Sequence, residues 1–413
     1  MKKNIILFIS GQGISLFANQ IFKFALHMYI LEQTNSSVIY SKVMAVTMLP
    51  SILLSPVAGV ICDRMDRKKI MVLLDLLSGI FIAVFFVFFQ INQSIIAITI
   101  ILFILSILGA LENPAVQAAV PLISGDIAKI NSRVAQVSSI SAMFSPIMGG
   151  ILYSVVSIEV ITILTMLSYF IISFLETLLQ LNKTEENAES SSLLRGLRDG
   201  AEYLVLRRKN ILKLLIFAGG LSFFVTGLVV IGFPYWIRTE LGMSAKIYGY
   251  SESLLGVAAI GGTFLFNYIL KKIGVKRVYW MAIAIGINMS VLGITIGFIE
   301  DKKTKFILII IVFSIIEFVI NIFSVSSLTI IMRNTDEAYM GRVMSYVSVL
   351  TLILQPISQL FYGFVVAKPE KNVCILIEFS AGLVVLMTML SRNVFFKIGS
   401  SKEEENVNKN SGM

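Results

Sequence analysis

Gly59-Val60-Ile61-Cys62-Asp63-Arg64-Met65-Asp66-Arg67-Lys68-Lys69 is a dense charged turn set between two long apolar runs, residues 38–62 and 69–90. A run of roughly 20 apolar residues crosses a hydrocarbon core of about 30 Å as a helix, so the pattern reads as chain leaving a bilayer, turning in water and going back. Working outward from this turn, comparable runs occur at 5–31, 95–117, 134–157, 159–181, 211–236, 247–270, 277–299, 306–331, 343–366 and 373–391, which makes about twelve spans. The runs are continuously apolar. A lipid-facing barrel strand would alternate over about ten residues, so helices are predicted. The first run is too long for a signal peptide, carries Lys23 in its body and lacks a small-residue cleavage pattern, so it is kept as a span.

Composition excludes a soluble domain. Of 413 residues 56% are hydrophobic and only 14% charged, with a mean hydropathy of +0.86, too little polar surface to stay dispersed in water. The net charge of +9 would suggest nucleic acid if it lay on one face. Instead it sorts by loop: with the N-terminus inside, about 25 of the 34 Lys and Arg fall on the cytoplasmic side. Both termini are then cytoplasmic, and the basic groups serve orientation and contact with anionic membrane lipid, with no nucleic-acid partner. Cys62 and Cys374 fall on opposite sides in this topology, so neither a disulfide between them nor a thiolate metal site is expected.

The longest polar stretch, 182–192, divides the spans six and six. Leu193, Leu194, Leu197, Ala201, Leu204 and Val205 follow at helical spacing beside Arg195, Arg198, Arg207 and Arg208, as in an interfacial amphipathic helix. The expected organisation is a six-helix bundle at 1–181, a cytoplasmic linker at 182–210, a second bundle at 211–391 and a cytoplasmic tail at 392–413. The basic turn repeats as Asn267, Lys271, Lys272, Gly274 and Lys276, about 208 residues on. Arg133-Val134, Pro146 and Tyr153 recur as Arg342-Val343, Pro356 and Tyr362 at nearly the same pitch. The predicted fold is therefore an all-α integral membrane protein with twelve transmembrane helices in two pseudo-symmetric six-helix bundles, an architecture that holds substrate between halves that rock.

The charged turn, with Gly59, Asp63, Arg64, Asp66, Arg67 and Lys68, resembles the signature loop of the major facilitator superfamily. Asp66 stands where that pattern often has Gly, and the Asp-Arg-x-Asp-Arg form is similar to the macrolide-type and siderophore-type efflux branch. Gly11-Gln12, Ser15, Asn19-Gln20, Pro50, Pro56, Asn113-Pro114-Ala115, Pro121 and Gly341-Arg342-Val343 agree with that branch. Ser145-Pro146-Ile147-Met148-Gly149-Gly150 resembles the exporter-type motif of the fifth helix, with Ser145 in place of Gly. The resemblance covers essentially the whole chain and implies transport driven by proton exchange, with helices one, four, seven and ten around a central cavity.

Ionisable groups inside a membrane cost at least about 2.5–3.5 kcal/mol at a helix centre, so each needs a reason. Asp63, Arg64, Arg67 and Lys68 read as a gate latch, since a carboxylate there can meet a helix N-terminus or a basic partner in one conformation only; a positive-inside anchor is the plainer alternative. Glu317 lies near mid-membrane with Asn321 one turn on, and without a cation it can take up and give up a proton at each cycle. A structural carboxyl bonded between helices is the competing reading. Gln12, Ser15, Asn19, Lys23 and His27 form a polar stripe on the first helix. With Gln20, Glu112 and Asn113 they supply further proton or substrate candidates, although Lys23 could snorkel outward and Glu112 could be an interfacial carboxylate. Asp75 is placed to pair with the basic loop or to touch substrate; Glu252 and Glu378, near outer helix ends, are secondary. Phe223, Phe224, Thr226, Tyr235 and Trp236 could line a pocket, with Trp236 read rather as an outer-interface anchor.

The expected function is a proton-coupled exporter of amphipathic small molecules, macrolide-like drugs or a secreted metabolite such as a siderophore, working as a monomer in a bacterial cell membrane. An importer of the same fold is the alternative, and a channel suits the two-half repeat less well. An intramembrane enzyme is disfavoured by one histidine, no paired-His metal spacing and no Gly-x-Ser-x-Gly elbow. No cofactor is expected, and no phosphate-binding loop for ATP is present.

Overall fold

Asp66 begins one helix by capping it: its side chain accepts from the backbone N–H groups of Lys68 at 3.0 Å and Lys69 at 3.3 Å, satisfying donors that the first turn leaves open. In the computed structural model, residues 2–64, 66–123, 127–180, 201–336 and 339–411 are described, with side chains left out at 2–3, 55–57, 59–64, 128, 341, 345 and 399–411. The helices are α1 (Lys2–Thr34), α2 (Ser37–Arg64), α3 (Arg67–Ile91), α4 (Ile95–Ile123), α5 (Ile127–Val155) and α6 (Ile158–Thr177). There follow α7 (Lys209–Glu240), α8 (Ala245–Ile273), α9 (Tyr279–Phe298), α10 (Lys302–Arg333), α11 (Met340–Val366) and α12 (Glu370–Ser411). Asp301 caps α10 as Asp66 caps α3, accepting from the Thr304 N–H at 2.8 Å. Gly274 ends α8 at φ 76°, a left-handed conformation that favours glycine.

Twelve helices among the described residues are long and apolar enough to cross a membrane, and the chain is a multi-pass membrane protein. Large apolar side chains face outward, among them Phe264 at 81% exposure and Ile91 at 79%. Lipid is the solvent that tolerates such a surface.

The chain forms two compact units, Met1–Glu189 with Ile237–Ser253, and Ser190–Trp236 with Leu254–Met413. In the first, α1 packs on α5 and α6, and α3 on α4 and α6. In the second, α7 packs on α11 and α12, and α9 on α10 and α12. The same four pairings recur six helices later, so the repeat seen in the charged turns extends to the packing.

One expectation changes and another falls outside the described residues. The last helix does not stop near 391 but runs to Ser411, because Phe395, fully buried, and Val394 and Ile398 keep an apolar face in contact while Arg392 lies over the rings of Tyr279 and Phe396. Loss of hydrophobicity ends a membrane crossing, not a helix. The predicted linker and most of its amphipathic helix, 181–200, lie outside the described residues; the part that follows is helical, with a π-turn at Tyr203–Arg207.

Candidate functional site

Glu317 lines a cavity of about 450 Å³ in the second unit. Three helices build it. Ser222, Thr226 and Val229 come from α7, Glu317, Asn321, Ser324 and Ser327 from α10, and Thr351 and Gln355 from α11, among apolar neighbours. Asn321 Nδ2 donates to the Glu317 carbonyl at 2.9 Å and to its Oε2 at 3.3 Å, so the predicted pair is joined one helical turn apart. Glu317 forms no ion pair among the described residues. A carboxyl group with an amide on one side and a polar-lined cavity on the other can exchange a proton or meet a ligand.

The α10 face is set by close backbone contact with α8. A Cβ at Gly262 would come within 3.2 Å of the Phe318 carbonyl carbon and 3.4 Å of Asn321 Cβ, so glycine is what lets this turn approach. On the α7 wall, Ser358 of α11 accepts from the Gly227 N–H at 2.8 Å and donates to the Phe223 carbonyl. Its hydroxyl thus stands in the helical rung between residues 223 and 227, and the turn that follows, Leu228–Gly232, is π-helical. Of the aromatic linings predicted on this helix none faces the cavity; Thr226 alone of that set does. Trp236 is not an interface anchor: it is fully buried against Phe313, with ring centroids 6.1 Å apart, because the π-turns rotate it into the core.

The first unit holds a second concentration of charge. Lys23 on α1 and Glu112 on α4 lie within electrostatic reach of each other, with His27 edge-on to Tyr40 at 5.9 Å. Asn19 and Gln20 sit half-buried on the same helix, the Asn19 Oδ1 without a donor, whereas Asn113 is exposed. Asp75 does not pair with the basic loop. Fully buried, its carboxyl contacts that of Glu176 on α6, and neither Asp75 oxygen meets an N–H or hydroxyl donor. Side chains lean toward the N-terminus of their own helix, and Ser173 on α6 bonds the Val72 carbonyl on α3, so the two acids lean toward one another. Glu378 accepts from Ser290 Oγ at 2.6 Å, an interhelical structural contact, and Glu252 is bonded to Tyr248.

Of the latch residues, Lys68 Nζ donates to the Thr177 carbonyl at 2.6 Å, placing a cation on the C-terminus of α6. Asp66 is the α3 cap described above, Arg67 is half-buried, and the side chains of Gly59, Asp63 and Arg64 lie outside the described residues. The helix-five motif is a close-packing device. A Cβ at Gly149 would come within 2.8 Å of Phe24, and one at Gly150 within 2.6 Å of the Ala245 carbonyl oxygen, while Gly249 abuts the Pro146 carbonyl. Small residues there let α5 meet the start of α8 backbone to backbone.

A family model described as Major Facilitator Superfamily matches residues 8–391. The chain belongs to that superfamily. It is a transporter of the major facilitator fold and not an enzyme. It is 27% identical over 363 residues to macrolide efflux protein A of Streptococcus pyogenes, covering 84% of this chain and 85% of that protein. It is 24% identical over 286 residues to the staphyloferrin A transporter of Staphylococcus aureus (strain NCTC 8325 / PS 47), covering 67% and 70%. Among solved structures, a bacterial homologue of the iron transporter ferroportin in an inward-facing state superposes with a TM-score of 0.75 at 14% identity, over 97% of this chain and 99% of that one.

For this superfamily member, sequence reasoning missed Glu176, Ser358 and the Tyr203, Arg208 and Asp336 cluster. Arg208 donates to Asp336 at 2.7 Å and to the Tyr203 hydroxyl at 3.2 Å, and Tyr203 stacks on Tyr339 at 4.2 Å. Glu176 ends a span, where a carboxylate raises no question, and a serine on an apolar helix gives no sign that it enters a neighbour's backbone.

Proposed function

We propose that this transporter is a proton-coupled exporter of amphipathic small molecules, with Glu317 as the group that takes up and releases the proton. One observation carries the reading: Glu317 lines a cavity built from three helices and has no ion-pair partner among the described residues. A desolvated carboxyl without a cation is suited to changing protonation state, while its largely apolar surroundings suit an amphipathic cargo. The macrolide efflux relative supports the outward direction, and the staphyloferrin A transporter widens the cargo to secreted metabolites. Lys23, Glu112, Asn113, Asn19 and Gln20 are proposed as supporting polar groups, Asp75 as a structural acid, and Asp63, Arg64, Arg67 and Lys68 as parts of a gate.

The positive-inside charge pattern supports a bacterial cell membrane with both termini cytoplasmic. We place the alternating halves at 1–181 and 211–391, joined by 182–210 and followed by 392–413, in a protein that works as a monomer. The test is substrate-dependent proton flux in liposomes under an imposed pH gradient, for wild type and Glu317→Gln, with macrolides and siderophores as cargo. Coupled flux that is lost in Glu317→Gln is expected. Full coupling in a correctly inserted Glu317→Gln protein would remove Glu317 as the proton site, and transport without proton dependence would remove the coupling.

A further inference from the structure

A second cavity of the same unit, a cleft of about 480 Å³ between α7 and α12, has no part in the transport reading. Asn210, Lys213, Ile216 and Phe217 line it from α7, and Met387, Leu390, Ser391, Asn393 and Lys397 from α12. Steps of three and four put each set on one face of its helix. The base of the cleft is pinned. The rings of Phe217 and Phe395 meet edge to face with centroids 5.9 Å apart, and the end of Met387 lies so close to Gly220 that a Cβ there would collide with it. Phe217 meeting Phe395 while Gly220 meets Met387 makes the two faces antiparallel, so the start of α7 lies level with the later part of α12. Both faces then change character at the same depth: lysines and amides form the mouth, and apolar side chains form the base. From Asn210 to Gly220 the rise is about 15 Å, of which the polar mouth takes roughly the first turn. Ile216 at 57% exposure and Leu390 at 74% form open sides, on a surface that lipid wets.

We propose that this cleft is a binding site for one anionic phospholipid, with its phosphate at Lys213 and Lys397 and the upper part of an acyl chain against Ile216, Phe217, Met387 and Leu390. A lysine brings three donors on a flexible stem whose methylenes pack on apolar surface, which suits a phosphate held at the edge of a bilayer. The amides of Asn210 and Asn393 and the Ser391 hydroxyl add donors for phosphate or glycerol oxygens. A choline headgroup would set a third cation beside the two lysines, and a water-soluble anion would leave the apolar base uncovered. Orientation in the membrane asks only for basic residues near its surface. It does not ask that lysines from two helices far apart in the chain converge, with amides, over one apolar base; a basic pocket between membrane helices is what an anionic headgroup fits. The inference is independent of Glu317 and of the direction of transport. It takes from the proposed topology only the leaflet, the cytoplasmic one.

The test titrates the purified, delipidated full chain with phosphatidylglycerol, phosphatidylcholine or soluble glycerol phosphate and counts bound molecules by native mass spectrometry. One phosphatidylglycerol is expected to bind well ahead of phosphatidylcholine and of glycerol phosphate. Lys213→Gln and Lys397→Gln should each weaken it roughly fivefold, and the double variant on the order of 30-fold, the effect of removing one and two lysines near anionic lipid. Lys213→Arg with Lys397→Arg keeps the charges and should keep the binding, which guards against a loss that is merely a folding failure. Lys271→Gln with Lys272→Gln, at the end of α8 and outside the cleft, should change nothing. Four results would overturn the proposal: equal binding of phosphatidylcholine, equal binding of glycerol phosphate, full binding in the double Gln variant, or an equal loss in the α8 variant. A fifth concerns the acidic run Glu403-Glu404-Glu405 that follows in the sequence. If lipid binds only after those three are changed to Gln, the lysines belong to the tail and not to lipid. Proton-coupled transport is read separately in liposomes, so its failure leaves this binding result standing.

Discussion

Glu317 and Asp75 are both carboxyl groups carried on apolar helices, but they are housed differently. Glu317, half-buried, opens onto a cavity and is held by an amide from its own helix. Asp75, fully buried, meets a second carboxyl from a neighbouring helix, beside Glu112, with Tyr169 also within the field of these acids and bonded to Ser15 of α1. One carboxyl opens onto a cavity, and the other is closed in by its neighbours. Composition alone would rank the two acids equally, since a buried acid costs free energy wherever it lies; what surrounds each decides whether it can serve exchange or structure.

The sharpest way to break this comparison is to neutralise each acid. Glu317→Gln is expected to abolish coupled flux while leaving the thermal midpoint in detergent nearly unchanged. Asp75→Asn should do the reverse. Its amide supplies an N–H donor to a pair in which neither Asp75 oxygen meets one, so the midpoint should hold or rise and transport should persist. If Asp75→Asn stops transport as completely as Glu317→Gln, the distinction between an open and a closed acid is lost.

A smaller effect sharpens the comparison on the Glu317 side. Gly262→Val would drive a branched side chain into the Phe318 carbonyl and Asn321. Overpacking of this kind costs about 1–3 kcal/mol, read as a lowered thermal midpoint, and it should weaken coupled flux because Asn321 no longer steadies Glu317. The equivalent insult near Asp75, Gly79→Ala against the Phe170 ring, should leave coupled flux untouched.

The smallest effect lies outside the membrane. The hydrogen bond from Arg208 holds the Asp336 carboxyl below the usual carboxylate range. A group depressed in the folded state contributes stability above its unfolded value, about 3.9, and loses it as pH falls through the folded value. Hydrogen exchange in 203–208 should therefore quicken on acidification below about pH 4, and Asp336→Asn should make it fast at every pH. An unchanged profile in Asp336→Asn would show that the Tyr203–Tyr339 stack alone docks this segment.

Much of this was legible in the amino-acid order. The spans, their number and the repeat follow from hydropathy and spacing, because a bilayer imposes a minimum apolar length on anything that crosses it. Glu317 and Asn321 could be paired from their four-residue separation, since a helix brings such positions together whatever surrounds it. Asp66, part of the signature turn, caps α3, a local role that its place before a helical run also signals.

The sequence by itself determined that the chain is helical, membrane-spanning and doubled, since those properties rest on local periodicity and on the solvent. Only the tertiary structure decided which acid faces a cavity, which acid is sealed against another, and where Ser358 enters the backbone of α7. Each of these depends on the rotation of one helix against another, and that is fixed by side-chain packing between residues far apart in the chain.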